Sequence, residues 1–196
     1  FDEASVMEVV AARDYKNMTD IVQDPSDPEH HFASAASSGL YEFRDYKLIN
    51  HYTYNNSPIT SILPNSSRPG FYTRITSLNF DKDNNFFSLN LETLERTVIG
   101  TAETVTANVK LYPDQGMTHF MVRDMAYDSA NQRMLALGVR YGFDQYGTQT
   151  DFVGGAAIYA VDMKTGELEL VHTILDEFMI IQAMTVDNNG IIYIYN

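Results

Sequence analysis

Four times along the chain a run of alternating apolar and polar residues gives way to a turn that opens on an aspartate: Asp24, Asp81, Asp128 and Asp187. Successive side chains on a strand point to opposite faces, so a period of two marks a strand. An aspartate at its end bonds the backbone two residues on and turns the chain. The most regular copies stand last. Residues 157–161 read as a strand, Asp162-Met163-Lys164-Thr165-Gly166 as a turn, and residues 167–171 as the returning strand. Residues 183–186, the turn Asp187-Asn188-Asn189-Gly190 and residues 191–195 repeat the pattern. Units of this kind pair into antiparallel sheets, and the expectation is an all-β chain.

The rest of the sequence fits the same unit. Residues 17–24, 31–35, 40–43 and 47–52 read as four short strands separated by turns, the content of one β-propeller blade. Before them, Val6, Met7, Val9 and Val10 suit a strand or two helical turns equally. Residues 75–80 and 86–89 flank the turn at Asp81. Asn90-Leu91-Glu92-Thr93-Leu94-Glu95 then echoes Asp162 to Glu167, with Leu94 in the place of Gly166. Residues 84–98 also admit a helix. Residues 101–112 alternate around Val105, Val109 and Leu111 and read as a strand; residues 121–127 and 133–137 flank the turn at Asp128. The four aspartates recur at intervals of 57, 47 and 59 residues, so two intervals exceed the about 40 to 50 of a propeller repeat. Loop insertions at about 53–71 and 138–155 account for the excess. The expectation is one β-propeller-like domain over residues 1–196 with about four blade units; a β-sandwich with irregular loops is the alternative. The last unit lacks outer strands before Asn196, so the chain is expected either to belong to a larger propeller or to close with its N-terminal strand or a partner.

Composition narrows the partners. Twenty-six acidic residues against 13 basic give a net charge of -13, which repels phosphate backbones and disfavours nucleic acid and anionic membrane surfaces. No stretch is long and apolar enough for a spanning helix, so no membrane insertion is expected. Cysteine is absent, which removes disulfides and thiolate chemistry. The chain opens on Phe1 without a basic-then-apolar leader and reads as a processed or trimmed start. Nothing sets the oligomeric state.

One segment carries a resemblance. Asp24-Pro25-Ser26-Asp27-Pro28-Glu29-His30-His31-Phe32-Ala33-Ser34-Ala35, then Ser38-Gly39-Leu40-Tyr41-Glu42-Phe43, then Tyr54-Asn55-Asn56-Ser57-Pro58-Ile59 resembles the propeller repeats of Bacteroidetes envelope proteins. Similar repeats occur in sensor regions of hybrid two-component regulators and in a propeller protein of a cell-surface secretion system. The likeness covers roughly residues 18–90. Phe86-Phe87-Ser88-Leu89-Asn90 departs from the aromatic-aliphatic-Gly-Thr segment usual there. The resemblance implies a periplasmic or cell-surface location and a role in recognition, and it carries over no catalytic residue.

Candidate sites follow from residue type and position. The segment Arg140-Tyr141-Gly142-Phe143-Asp144-Gln145-Tyr146-Gly147 joins rings that offer stacking area to directional polar groups, with Arg140 suited to an anion. Arg140, Tyr141, Phe143, Asp144 and Tyr146 are therefore ligand-binding candidates, together with a second polar-aromatic patch at Tyr54 and Asn55. Asp81, Asp83 and Asn85 space oxygen ligands as calcium loops do, but Phe86 stands where the loop needs glycine. A turn bonded to its own backbone is the preferred reading of them, and no metal site is expected. His51, His119 and His172 show no ligand spacing. No nucleophile elbow, phosphate loop or dinucleotide fingerprint occurs, so no cofactor is expected. The functional expectation is a non-catalytic propeller module recognising a protein or glycan at the bacterial envelope. A carbohydrate-active hydrolase or lyase using loop carboxylates such as Asp144, Asp151 and Glu177 is one alternative, and a structural assembly element is the other.

Overall fold

A computed structural model of the chain describes residues 18–24, 27–35, 39–52, 70–71, 76–80, 84–90, 92–93, 95–174, 181 and 183–195. Within these the protein is all-β and propeller-like. The first sheet holds β1 (Met18–Asp24), β2 (Asp27–Ala35), β3 (Gly39–Arg44) and β4 (Lys47–Tyr52) in sequence order. The second holds β5 (Gly70–Phe71), β6 (Thr76–Phe80), β7 (Phe86–Asn90) and β8 (Arg96–Gly100), and the third β9 (His119–Asp128), β10 (Arg133–Phe143), β11 (Gln149–Val161) and β12 (Leu168–Thr173). A final pair, β13 (Ala183–Val186) and β14 (Ile192–Tyr195), follows. Every pairing is antiparallel between consecutive strands. The leading strands of successive sheets approach one another, β1 beside β5, β5 beside β9 and β9 beside β13. Sheets stack face to face, in the manner of blades.

Stacking buries both faces of the third sheet, which explains the nearly unbroken apolar run of β10. Met134 and Ala136 join Leu78 and Phe86 of the second sheet with Val122, Tyr159, Val161 and Leu168. Leu135 and Leu137, pointing the other way, join Ile158, Ile181 and Met184, with Val186, Ile192 and Ile194 packed against them. Alternate residues of one strand thus serve two cores.

Side chains stitch the sheets together. Asn84 Nδ2 donates to the Phe120 carbonyl at 3.0 Å and its Oδ1 accepts from the Val122 N–H at 3.0 Å. A single amide thereby pairs with the edge of β9 as a neighbouring strand would. On the same strand Asp124 Oδ2 accepts from the Met184 N–H at 2.7 Å, and Arg123 Nη1 donates to the Ile181 carbonyl at 2.9 Å. Arg123 is the extra residue of a bulge, because Val122 and Asp124 face consecutive residues of β10.

The echo between two turns holds in atomic detail. Asn90 Oδ1 accepts from the N–H groups of Glu92 and Thr93, as Asp162 Oδ1 does from Lys164 and Thr165. Glu95 N–H meets Thr93 Oγ1 as Glu167 N–H meets Thr165 Oγ1. Residues 84–98 are therefore strand, turn and strand, and the helical alternative is set aside. Asp128 takes the same role between β9 and β10. Burial alone would raise its carboxyl pKa, but bonds from Asn131 and Arg133 outweigh burial and hold it below the ordinary value.

Three expectations are corrected, and a fourth is tested only at its last two residues. Residues 138–155 are no loop insertion: β10 runs through Phe143 and β11 starts at Gln149. Glycine there answers crowding, since a Cβ on Gly138 would lie 2.5 Å from the Phe120 ring. The expected loop at 53–71 ends in strand β5, and residues 53–69 lie outside the described residues. Residues 101–112 form no strand. Ala102–Thr106 is a short helix, α1, entered from an extended Thr101 and burying only Val105. Finally, Asp81 is not equivalent to the other three aspartates. It falls between the second and third strands of its sheet, whereas Asp24, Asp128 and Asp187 follow first strands. Alternation identifies a strand without giving its rank in a sheet. The N-terminal residues 1–17, with Val6 to Val10, lie outside the described residues.

The second and third sheets also meet where no side chain fits. A Cβ on Gly100 would stand 2.5 Å from the Thr165 carbonyl oxygen and 3.0 Å from Gly166 Cα. Backbone cannot yield as a flexible side chain does. Gly100→Ala is expected to lower stability by about 1–3 kcal/mol in urea unfolding.

Candidate functional site

The strands β9, β10 and β11 span 10, 11 and 13 residues, against 4 in each of β13 and β14. The hairpin of β10 and β11 is therefore longer than the sheet beside it, and its turn carries the candidate residues. Register sets what they meet. Tyr141 lies opposite His119 of β9, and Phe143 opposite Gln149 of β11. Tyr141 and Phe143 are two residues apart and share a face. The His119 and Tyr141 rings stack at 5.3 Å and 28°, Phe143 stands edge-on to His119 at 5.1 Å and 82°, and Phe143 meets Tyr141 at 5.7 Å and 79°. These are the offset and edge-to-face geometries favoured by ring quadrupoles. Phe143 remains 53% exposed and Tyr146, in the turn, 83% exposed.

The turn is tied by Asp144. Its Oδ1 accepts from the N–H groups of Tyr146 and Thr148, both at 2.8 Å, and its backbone N–H donates to the Thr148 carbonyl at 2.9 Å. Gly147 supplies the left-handed residue, φ +79°, that this closure requires. Asp144 thus fixes the direction in which Tyr146 leaves the hairpin. Thr118 N–H donates to the Tyr141 carbonyl, and Thr118 Oγ1 lies 2.8 Å from His119 Nδ1, which orients that ring.

Arg140 alternates to the opposite face and is buried. Its Nε donates to the Lys110 carbonyl at 2.7 Å, Nη2 to Tyr159 Oη at 2.7 Å and Nη1 to the Gly155 carbonyl at 3.4 Å. Its Cζ also lies 5.4 Å from the centroid of the Tyr112 ring. Burial raises the pKa of the Tyr159 phenol, the guanidinium lowers it in part, and Tyr112 adds to the rise. The expected anion partner gives way to this arrangement: Arg140 clamps the link after α1 onto the third sheet, and protein oxygens take its donors.

The other sequence candidates do not gather here. Tyr54, Asn55, Asp81, Asp83 and Glu177 lie outside the described residues. Asn85 Oδ1 accepts from the Ala102 N–H at 2.8 Å, at the start of α1. Asp151 lies in β11 opposite Tyr141. No cluster of three or more metal-ligating side chains occurs among the described residues. His119, set aside in the sequence for want of ligand spacing, is the residue that sequence reading missed. A separate polar cluster sits in the first sheet. Buried His30 places Nδ1 2.9 Å from Asp24 Oδ2 and Nε2 2.8 Å from Glu42 Oε1, joining β1, β2 and β3. His31, its neighbour on the other face, stacks loosely on Tyr46 at 6.4 Å.

Replacing Arg140 separates its two readings. Arg140→Met strands three buried or half-buried oxygens and is expected to cost about 2–3 kcal/mol in urea unfolding. A residue held for a surface anion would change stability by less than about 0.5 kcal/mol.

No family model matches the chain, and no curated protein matches it. Among solved structures it is similar to the WD40 β-propeller domain of Doa1 at 10% identity, covering 90% of this chain and 47% of that one with a TM-score of 0.47. It is similar to the extracellular domain of a hybrid two-component system from B. thetaiotaomicron at 11% identity, over 90% of this chain and 25% of that one, TM-score 0.46. A third is PorZ, a bacterial surface component of the type-IX secretion system of Porphyromonas gingivalis, at 15% identity over 90% and 31% of the two chains, TM-score 0.35. The chain spans about half the length of the first and a quarter to a third of the others.

Proposed function

We propose that this protein is a recognition module at the bacterial envelope and that it binds a protein or glycan ligand at the end of the long hairpin of its third sheet. The observation that carries the reading is the ring group His119, Tyr141 and Phe143, with Phe143 and Tyr146 open to solvent. His119, Tyr141 and Phe143 brace one another, so little side-chain freedom is lost when a ligand covers them. The fourth ring, Tyr146, leaves a turn that Asp144 holds fixed. Rigid aromatic area beside adaptable amides such as Gln145 is the composition of binding surfaces generally.

An extracytoplasmic setting is supported by the resemblance of residues 18–90 to envelope propeller repeats. The reading is non-catalytic. Asp144, the best placed of the loop carboxylates, spends one oxygen on two backbone N–H groups of its own turn, and a glycosidase pair needs a second carboxyl facing it across a cleft.

Replacing Phe143 and Tyr146 together by alanine is expected to abolish ligand capture from an envelope extract of the source cells. The circular dichroism spectrum should stay unchanged and unfolding should shift by less than about 1 kcal/mol, because both side chains are exposed. Retained capture by the folded double variant would remove the hairpin end as the site.

A further inference from the structure

The geometry points to a cationic ligand at this ring group: an extended, Lys- or Arg-rich segment of a partner protein. The inference rests on the recognition reading above and narrows its partner. Ring faces carry negative quadrupole charge and attract ammonium and guanidinium groups within about 6 Å of the centroid. The protein already uses this contact internally. Arg96 lies 4.0 Å from the Phe87 centroid, and Lys110 lies 5.2 Å from that of Tyr112.

At the hairpin end no cation of the described residues is placed over the exposed rings. Arg140 faces the other way with its donors taken, and both Arg140 and Lys110 bear on Tyr112. Phe143 and Tyr146 stay exposed. Beside them the exposed Asp144 uses only Oδ1 in its turn, and its Oδ2 has no partner among the described residues. A cation placed on the rings would therefore find a carboxylate oxygen close in sequence to both. The net charge of these 196 residues acts in the same direction, since -13 draws basic segments from a distance and repels acidic ones. A neutral sugar would stack on the rings and donate a hydroxyl to the carboxylate, but would gain nothing from the long-range field.

The test uses a fluorescent nonapeptide alternating glycine with arginine and lysine, and a counterpart with glutamine at the charged positions. Binding is followed by anisotropy and by the ring resonances of Tyr141, Phe143 and Tyr146. The basic peptide is expected to bind and shift those resonances, and the glutamine peptide at least about tenfold more weakly. Asp144→Asn keeps the Oδ1 acceptor, so the turn survives, and should weaken the basic peptide about threefold to tenfold. Replacing Phe143 and Tyr146 by leucine retains apolar bulk without a quadrupole and should weaken it about tenfold. Equal binding by the leucine variant would assign the attraction to net charge at large and overturn the inference. So would ring shifts caused by maltohexaose or the glutamine peptide but absent with the basic one, although recognition at this site would then stand. A set of probes that leaves every ring resonance unmoved overturns both.

Discussion

Sheets stacked face to face share no backbone ladder, and the leading strand of each presents an edge that no strand of its own sheet can satisfy. An unpaired edge is costly where water is excluded and hazardous where it is exposed. In this protein the edge of β9 is met by one amide. Asn84, reaching from the second sheet with φ +63°, offers a donor and an acceptor to Phe120 and Val122 at once. Asp124 and Arg123, two residues further on, extend the same service to the fourth pair of strands through Met184 and Ile181. Three side chains, through four hydrogen bonds, thus do across sheets what a ladder does within one.

That constraint shapes the rest. With β9 held on its open edge and β10 on the other, the third sheet can bury both faces, and its strands grow longer than those beside it. The longer hairpin carries Tyr141, Phe143 and Tyr146 to its end, where the length mismatch leaves rings exposed. Arg140 serves both purposes by alternation. Its side chain fastens the preceding link to one face while Tyr141 and Phe143, one and three residues further on, present rings on the other. Packing and site come from the same strand read at odd and even positions.

Much of the architecture was legible because it is local. The turns at Asn90 and Asp162 announce themselves through an Asx residue followed by threonine three positions on, and both close as that spacing implies. The strands of the first sheet fall close to where alternation placed them. Legibility failed where a neighbour distant in sequence decides. Glycine at 138 signals a loop until the Phe120 and Tyr159 rings are seen to occupy its missing Cβ. Residues 101–106 alternate like a strand, yet Asn85 starts a helix there. In the candidate site Tyr141, Phe143 and Tyr146 were visible as an aromatic run. His119 was not, because only the register of β9 against β10 brings it to Tyr141. Arg140 was visible as a cation and misjudged in direction, since its partners come from residues 110, 155 and 159.

Hydrogen exchange at the Val122 amide tests the central claim most directly, in the parent protein and in Asn84→Ala. If Asn84 closes the edge of β9, Val122 in the parent is protected to within about tenfold of amides in the middle of β10, and the substitution speeds its exchange by about 100-fold or more before those amides respond. Exchange at the rate of an exposed amide in the parent, or a rate indifferent to the loss of Asn84, would contradict the account.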